Sequence, residues 1–147
     1  MARPTSWTIL VAAGLTMGAS VLATPTVAPA AEDAASATFA LRDGDRVVFY
    51  GDSITEEGGY GRLVEAYVVS RFPAWDVRFY NSGVGGDRVS GGWAGSIAER
   101  LERDVIALRP SVVTLMLGMN DGGYKPYDPA TFAAYAAGYR AIVAKLT

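Results

Sequence analysis

The chain contains neither cysteine nor histidine. Without cysteine there is no disulfide, no thiolate metal site and no lipid-modified thiol. With histidine missing too, a zinc or other transition-metal site would rest on carboxylates alone, so no metal and no cofactor is expected. The missing imidazole also removes the usual base for activating a serine hydroxyl. Positive charge is not in excess: 13 Lys and Arg stand against 15 Asp and Glu, a formal net charge of −2. No basic surface for nucleic acid is therefore expected. Beyond the apolar stretch Trp7 to Val21, no run is long enough to cross a membrane. What is present is globular in composition, with 50% of the 147 residues hydrophobic and 19% charged, enough for roughly one domain.

The amino-terminal stretch reads as a leader. Arg3 supplies a positive start, and Trp7 to Val21 is mostly apolar with small residues interspersed. Ala28-Pro29-Ala30 gives a small-x-small cleavage pattern, with Val21-Leu22-Ala23 as a second candidate. Residues 1–30 thus have the pattern of a secretory signal peptide. An uncleaved anchor is the alternative, and the short apolar span with Gly14, Thr16, Gly18 and Ser20 speaks against it. Residues 31–40 read as a loose, alanine-rich linker, and residues 41–147 as the folded domain. The domain is expected to be secreted, extracellular or periplasmic, with no stable membrane span after signal cleavage.

From residue 41 on, strands alternate with helices. Arg46–Tyr50 is β-branched and aromatic and reads as a buried strand. A helix over Tyr60–Phe72 follows, with Tyr60, Val64, Tyr67/Val68 and Phe72 on one face and Pro73 as its stop. Val77–Tyr80 is a second strand. Ser96–Leu108 is a second helix with an apolar stripe of Ile97, Leu101, Val105 and Leu108, and with Glu99 and Arg103 spaced to pair on the wet side. Val112–Leu117 is a third strand, apolar enough to be covered on both faces. Asp128-Pro129 caps and opens a last helix that turns Phe132, Ala136, Tyr139, Val143 and Leu146 inward. This order implies a parallel sheet between helix layers. Three strands are few for such a sheet, and the third would be a bare apolar edge. The expectation is an amino-terminal part of a longer protein; a complete three-stranded domain is the alternative.

Each strand is followed by a polar, glycine-rich loop. These are Gly51-Asp52-Ser53, Asn81-Ser82-Gly83-Val84-Gly85-Gly86-Asp87 and Gly118-Met119-Asn120-Asp121-Gly122. Parallel strands point one way, so all three loops gather at the carboxyl rim of the sheet, where ligands bind in open α/β folds. A serine hydroxyl, glycine N–H groups and an asparagine amide meeting there are the parts of an acyl-transfer site.

In these blocks the chain resembles the SGNH/GDSL hydrolases. Gly51-Asp52-Ser53-Ile54-Thr55 matches block I, Gly86 the block II glycine, and Gly118-Met119-Asn120-Asp121 block III, over roughly residues 40 to 147. The resemblance implies a flavodoxin-like, three-layer α/β/α sandwich, here cut after about three strands, in the order second-first-third. It implies Ser53 as nucleophile and the Ser53 N–H, the Gly86 N–H and the Asn120 amide as oxyanion hole. Together with the leader, it implies a secreted serine ester hydrolase that cleaves an acyl ester, lipid or small-molecule, or a carbohydrate ester through an acyl-serine intermediate. Block V, an Asp-x-x-His, has no counterpart because the chain has no histidine. The 147 residues alone are therefore expected to be an inactive fragment.

Each residue also has a plainer reading. Ser53 suits a helix N-cap. Gly85 rivals Gly86, and Asn120 suits the turn before Asp121-Gly122. Asp52, Asp87 and Asp121 are read as structural supports rather than acids or bases, and Arg88 as solvated. Tyr124, Tyr127 and Trp93 either line a pocket near the rim or pack beside it. A non-catalytic carbohydrate- or anion-binding module on the same fold is the competing function, since loop N–H groups at helix starts attract anions. The oligomeric state is not legible.

Overall fold

The computed structural model describes residues 39–147 and the backbone of residues 8–11. The proposed cleavage sites and most of the linker lie outside the described residues. Strand β1 (Thr8–Val11) precedes β2 (Arg46–Gly51), the short helix α1 (Ser53–Glu56), α2 (Gly59–Arg71) and β3 (Arg78–Gly83). A two-residue-per-strand hairpin follows, β4 (Gly91–Gly92) and β5 (Gly95–Ser96). Then come α3 (Ile97–Arg100), running on as a π-helical turn over Leu101–Val105 and a 3₁₀ turn over Ile106–Leu108, then β6 (Val112–Met116) and α4 (Pro129–Leu146).

The main sheet has the order β1-β6-β2-β3, with every pair parallel. The three strands read from the sequence thus lie side by side in the second-first-third order. Alternation along β2 sends its side chains to two separate cores. Val48 and Tyr50 join Val113, Leu115 and Leu117 of the β6 segment, Leu101 and Val105 of the α3 segment, and Ile142 and Leu146 of α4. Val47 and Phe49 face the other way, onto Val68 of α2, with Tyr60, Phe72 and Phe79 packed around them. The result is an α/β/α sandwich, with α3 and α4 on one face and α2 on the other. Each fully buried aliphatic or aromatic side chain in these layers contributes about 1.5–3 kcal/mol.

Several elements differ from their sequence reading, for identifiable reasons. Thr8–Val11 falls inside the stretch read as standing outside the fold, yet it pairs with Val112–Leu115 along the outer edge of β6. An apolar edge strand leaves a row of unpaired backbone groups, which an apolar segment of the same chain can satisfy. β3 runs three residues further than expected, through Asn81, Ser82 and Gly83. Its polar end is stable because each group is used: Asn81 Nδ2 donates to Thr55 O at 2.7 Å, Asn81 Oδ1 accepts from Gly83 N at 2.9 Å, and Ser82 Oγ donates to Asp104 O at 2.7 Å. Gly83 lies so close to α1 that a β-carbon there would fall 2.1 Å from Glu56 N.

The helices are less regular than their patterns suggest. On α2 only Gly61 and Val68 are buried, while Val64 and Tyr67 are exposed. Glu99 does not pair with Arg103. It closes a capping box instead, accepting from Ser96 N at 2.8 Å, while Arg103 turns to Asp104 and to Ala94 O. On α4 the Asp128 cap and Pro129 start are as read, and Asp128 Oδ2 accepts from Thr131 N at 2.7 Å. Its buried residues are Ile142 and Leu146, whereas Phe132 is exposed. Among the described residues no helix is long and apolar enough to cross a membrane.

Candidate active site

Strand β2 ends at Gly51, and the chain turns immediately into α1. Asp52 is the N-cap of that helix: its Oδ1 accepts from Ile54 N at 3.0 Å, and its own N–H donates to Met116 O on β6 at 3.3 Å. Asp52 is 1% exposed. Its carboxylate is thus spent on fixing the turn. Ser53 follows as the first helical residue, so its N–H has no acceptor within the helix. Its side chain is half-buried at the rim, and among the described residues nothing hydrogen-bonds to Oγ.

The second loop approaches from β3. Val84 N donates to Gly51 O at 3.0 Å, which ties the loop to the end of β2. A β-carbon on Gly85 would sit 3.9 Å from Ser53 Cβ, so this residue borders the serine directly. Gly86 is exposed, with a φ of 77° that favours glycine and open space where a side chain would be. Neither glycine N–H has an acceptor among the described residues, so the structure leaves both available to a ligand.

The third loop closes the constellation. Asn120 Nδ2 donates to Asp87 O at 2.9 Å and reaches Asp52 Oδ2 at 3.5 Å. Asp121 Oδ1 accepts from Val89 N at 3.1 Å. A single amide thus links all three loops, and Asp121 adds a second tie. The longer contact of Asn120 is a weak hydrogen bond, so one of its two amide protons is only loosely engaged. Burial raises Asp121 above the ordinary carboxylate range, partly offset by the Val89 N–H that it accepts.

Sequence reasoning missed Arg100. It is fully buried on α3 and holds the second loop from beneath. Its guanidinium pairs with Asp87, donates to Ser82 O at 2.8 Å and to Asp104 Oδ2 at 3.0 Å, and lies 4.9 Å from the Tyr50 ring centroid. Asp104 is held below the usual carboxylate range, first by Arg103 and then by Arg100. Burial pushes the Tyr50 phenol well up, so it stays neutral beside the cation. Asp87 is 0% exposed, as is Arg100, and burying these charges is tolerable only because each is paired. The one available signal was an arginine within a helical stripe, which ordinarily points to water.

The three rim aromatics do not share one pocket. Tyr127 lines a groove of about 680 Å³ with Phe132, Tyr135 and the Gly118–Asp121 loop, whereas Trp93 stands at the tip of the β4–β5 hairpin against the second loop. Tyr124 and Arg88 are exposed. Among the described residues no cluster of three acidic side chains is arranged to hold a metal ion.

Known proteins resemble this chain in sequence and fold. An acetylxylan esterase from Geobacillus stearothermophilus is 33% identical over 103 residues, covering 60% of this chain and 44% of the relative. The solved structure of Axe2, an acetylxylan esterase from the same organism, superposes with a TM-score of 0.59 at 28% identity, covering 70% of this chain and 54% of that one. A gut microbial diltiazem-metabolizing enzyme superposes with a TM-score of 0.58 at 31% identity, over 68% of this chain and 23% of its own. The chain therefore spans about half the length of these proteins or less. Solved forms of Axe2 include catalytic mutants at a serine, an aspartate and a histidine. The model of the GDSL-like lipase/acylhydrolase family matches residues 49–147, most of the chain and all three loops. The chain belongs to that family.

Proposed function

We propose that these residues form the nucleophile half of a secreted serine esterase that cleaves carboxylic esters of carbohydrates. The observation that carries this reading is the link of all three loops through Asn120. In this reading Ser53 Oγ attacks the ester carbonyl, and the developing oxyanion rests on the Ser53 N–H, the Gly86 N–H and the Asn120 amide. Each such donor is worth roughly 3 kcal/mol of barrier. The alcohol leaves, and water releases the acyl group from the serine. Asp52, Asp87 and Asp121 hold the loops and take no proton. The chain has no imidazole, so the proton on Ser53 goes to a histidine, oriented by an aspartate, that the downstream half of a longer protein supplies. Acylated saccharide is the favoured substrate class because the esterase relatives carry acetylxylan in their names. The leader pattern of residues 1–30 supports secretion.

The missing histidine is also what favours the second reading, a binding module with the same rim and no catalysis. One experiment separates them. The protein extended past Thr147 is treated with a serine-reactive phosphonate and assayed on acetylated xylo-oligosaccharide. Labelling and turnover that vanish in Ser53→Ala support the esterase. An unlabelled protein that still binds the saccharide is the module. The 147 residues alone are expected to show neither labelling nor turnover, and Ser53-dependent turnover by them would overturn the role given to the downstream base.

A further inference from the structure

We infer that Trp93 is the platform on which the sugar ring of the substrate stacks; this rests on the esterase reading above. Isolated exposed aromatics are ordinary on protein surfaces. This one is held in place. Trp93 is 80% exposed, yet its indole Nε1 donates to Gly85 O at 2.9 Å. Gly85 is the residue that borders Ser53.

The hairpin beneath the indole is fixed as well. Gly91 pairs with Ser96 and Gly92 with Gly95, leaving Trp93 and Ala94 as the tip. A β-carbon on Gly92 would lie 3.2 Å from the buried carboxylate of Asp87, so the hairpin packs directly on the loop that Arg100 holds. Arg103 Nη2 donates to Ala94 O at 3.2 Å and secures the other side of the tip. The ring therefore needs little ordering when a ligand arrives, which is where a rigid aromatic gains affinity over a mobile one.

The form of the surface selects the ligand. An acyl chain or other wholly apolar group gains most in an enclosed slot that removes it from water. Trp93 offers an open face with its polar edge already occupied. Such a face suits a flat ligand whose faces are apolar C–H groups and whose rim stays hydrated, which describes a pyranose ring. Chain geometry places the indole nitrogen no more than about 11 Å from Ser53 Cβ. An ester on the stacked ring or on its neighbour reaches the hydroxyl from there. The platform thus sits on the alcohol side of the ester and sets which alcohol is accepted.

The test uses the protein extended past Thr147, with Trp93→Ala and Trp93→Phe. The quantity read is the ratio of kcat/KM on acetylated xylo-oligosaccharide to that on p-nitrophenyl acetate, which has no sugar to stack. Trp93→Ala is expected to lower the ratio by about tenfold, mainly through KM, as loss of a well-placed aromatic anchor does. Trp93→Phe is expected to keep most of it, because the face remains when the N–H is lost. An equal fall on both esters, in both variants, would make Trp93 a prop for Gly85 and overturn the platform. An unchanged ratio in Trp93→Ala would overturn it too. Binding is read separately in Ser53→Ala by titrating the oligosaccharide against tryptophan fluorescence. A saccharide-dependent change that disappears on adding Trp93→Phe is expected, and its absence counts against the platform. Should the wild-type protein bind in this way and cleave neither ester, the esterase reading fails while the platform stands.

Discussion

Arg100 buries a full positive charge at the foot of the second loop, where its guanidinium meets two carboxylates, a carbonyl and an aromatic face. Removing the Asp87 charge leaves the buried Arg100 with Asp104 alone, a carboxylate that Arg103 shares and that lies partly in solvent. Asp87→Asn is therefore expected to destabilise the fold by about 3–5 kcal/mol, read from denaturant midpoints, because Asn restores the shape and not the charge. A change under about 1 kcal/mol, typical of an exposed pair, would show the pair to be solvated. At this scale legibility was uneven. Ser53, Asn120 and Asp52 were visible because their types are rare together at strand ends. Arg100 was not, since its partner lies thirteen positions away on a loop and helical spacing alone reports a solvent-facing charge.

The elements show where pattern reading is strong. β2 announced itself as a β-branched and aromatic run and β6 as an almost wholly apolar one, because strands covered on both faces have no polar side to hide. β3 was cut short because Asn81, Ser82 and Gly83 look like a loop; they are strand because they pair with Phe49, Tyr50 and Gly51 of β2, with their side chains satisfied by α1 and Asp104. That close approach gives a test. Gly83→Ala forces a methyl against the Glu56 N–H and must push α1 away from the sheet. Overpacking of this kind costs about 1–3 kcal/mol. The thermal midpoint of Gly83→Ala is expected to fall accordingly, and in the extended protein Ser53 is expected to label more slowly because its helix has moved. An unchanged midpoint would mean that α1 docks loosely.

At the scale of the whole molecule, the parallel order was legible because alternating elements admit few other arrangements. The occupant of the β6 edge was not, because Thr8–Val11, within a stretch that reads as a leader, carries no sign of a pairing partner. While residues 1–30 remain attached, β1 covers that edge along Val112–Leu115. Deleting residues 1–38 from the 147-residue chain uncovers it, and concentration-dependent self-association is expected by light scattering. A truncated chain that stays monomeric at all concentrations would show the edge to be protected in another way. Tolerance to changes of length is also unevenly distributed. The wide turn at Leu101–Val105 accommodates one residue more than an α-turn does. Loss of Glu102, which is exposed, would let that turn tighten while Leu101 and Val105 kept to the core side. The same loss inside β2 would invert every side chain beyond it, exchanging the two cores. Lineages descending from such a chain are free to shorten at the helix and barred from doing so in the sheet that it covers.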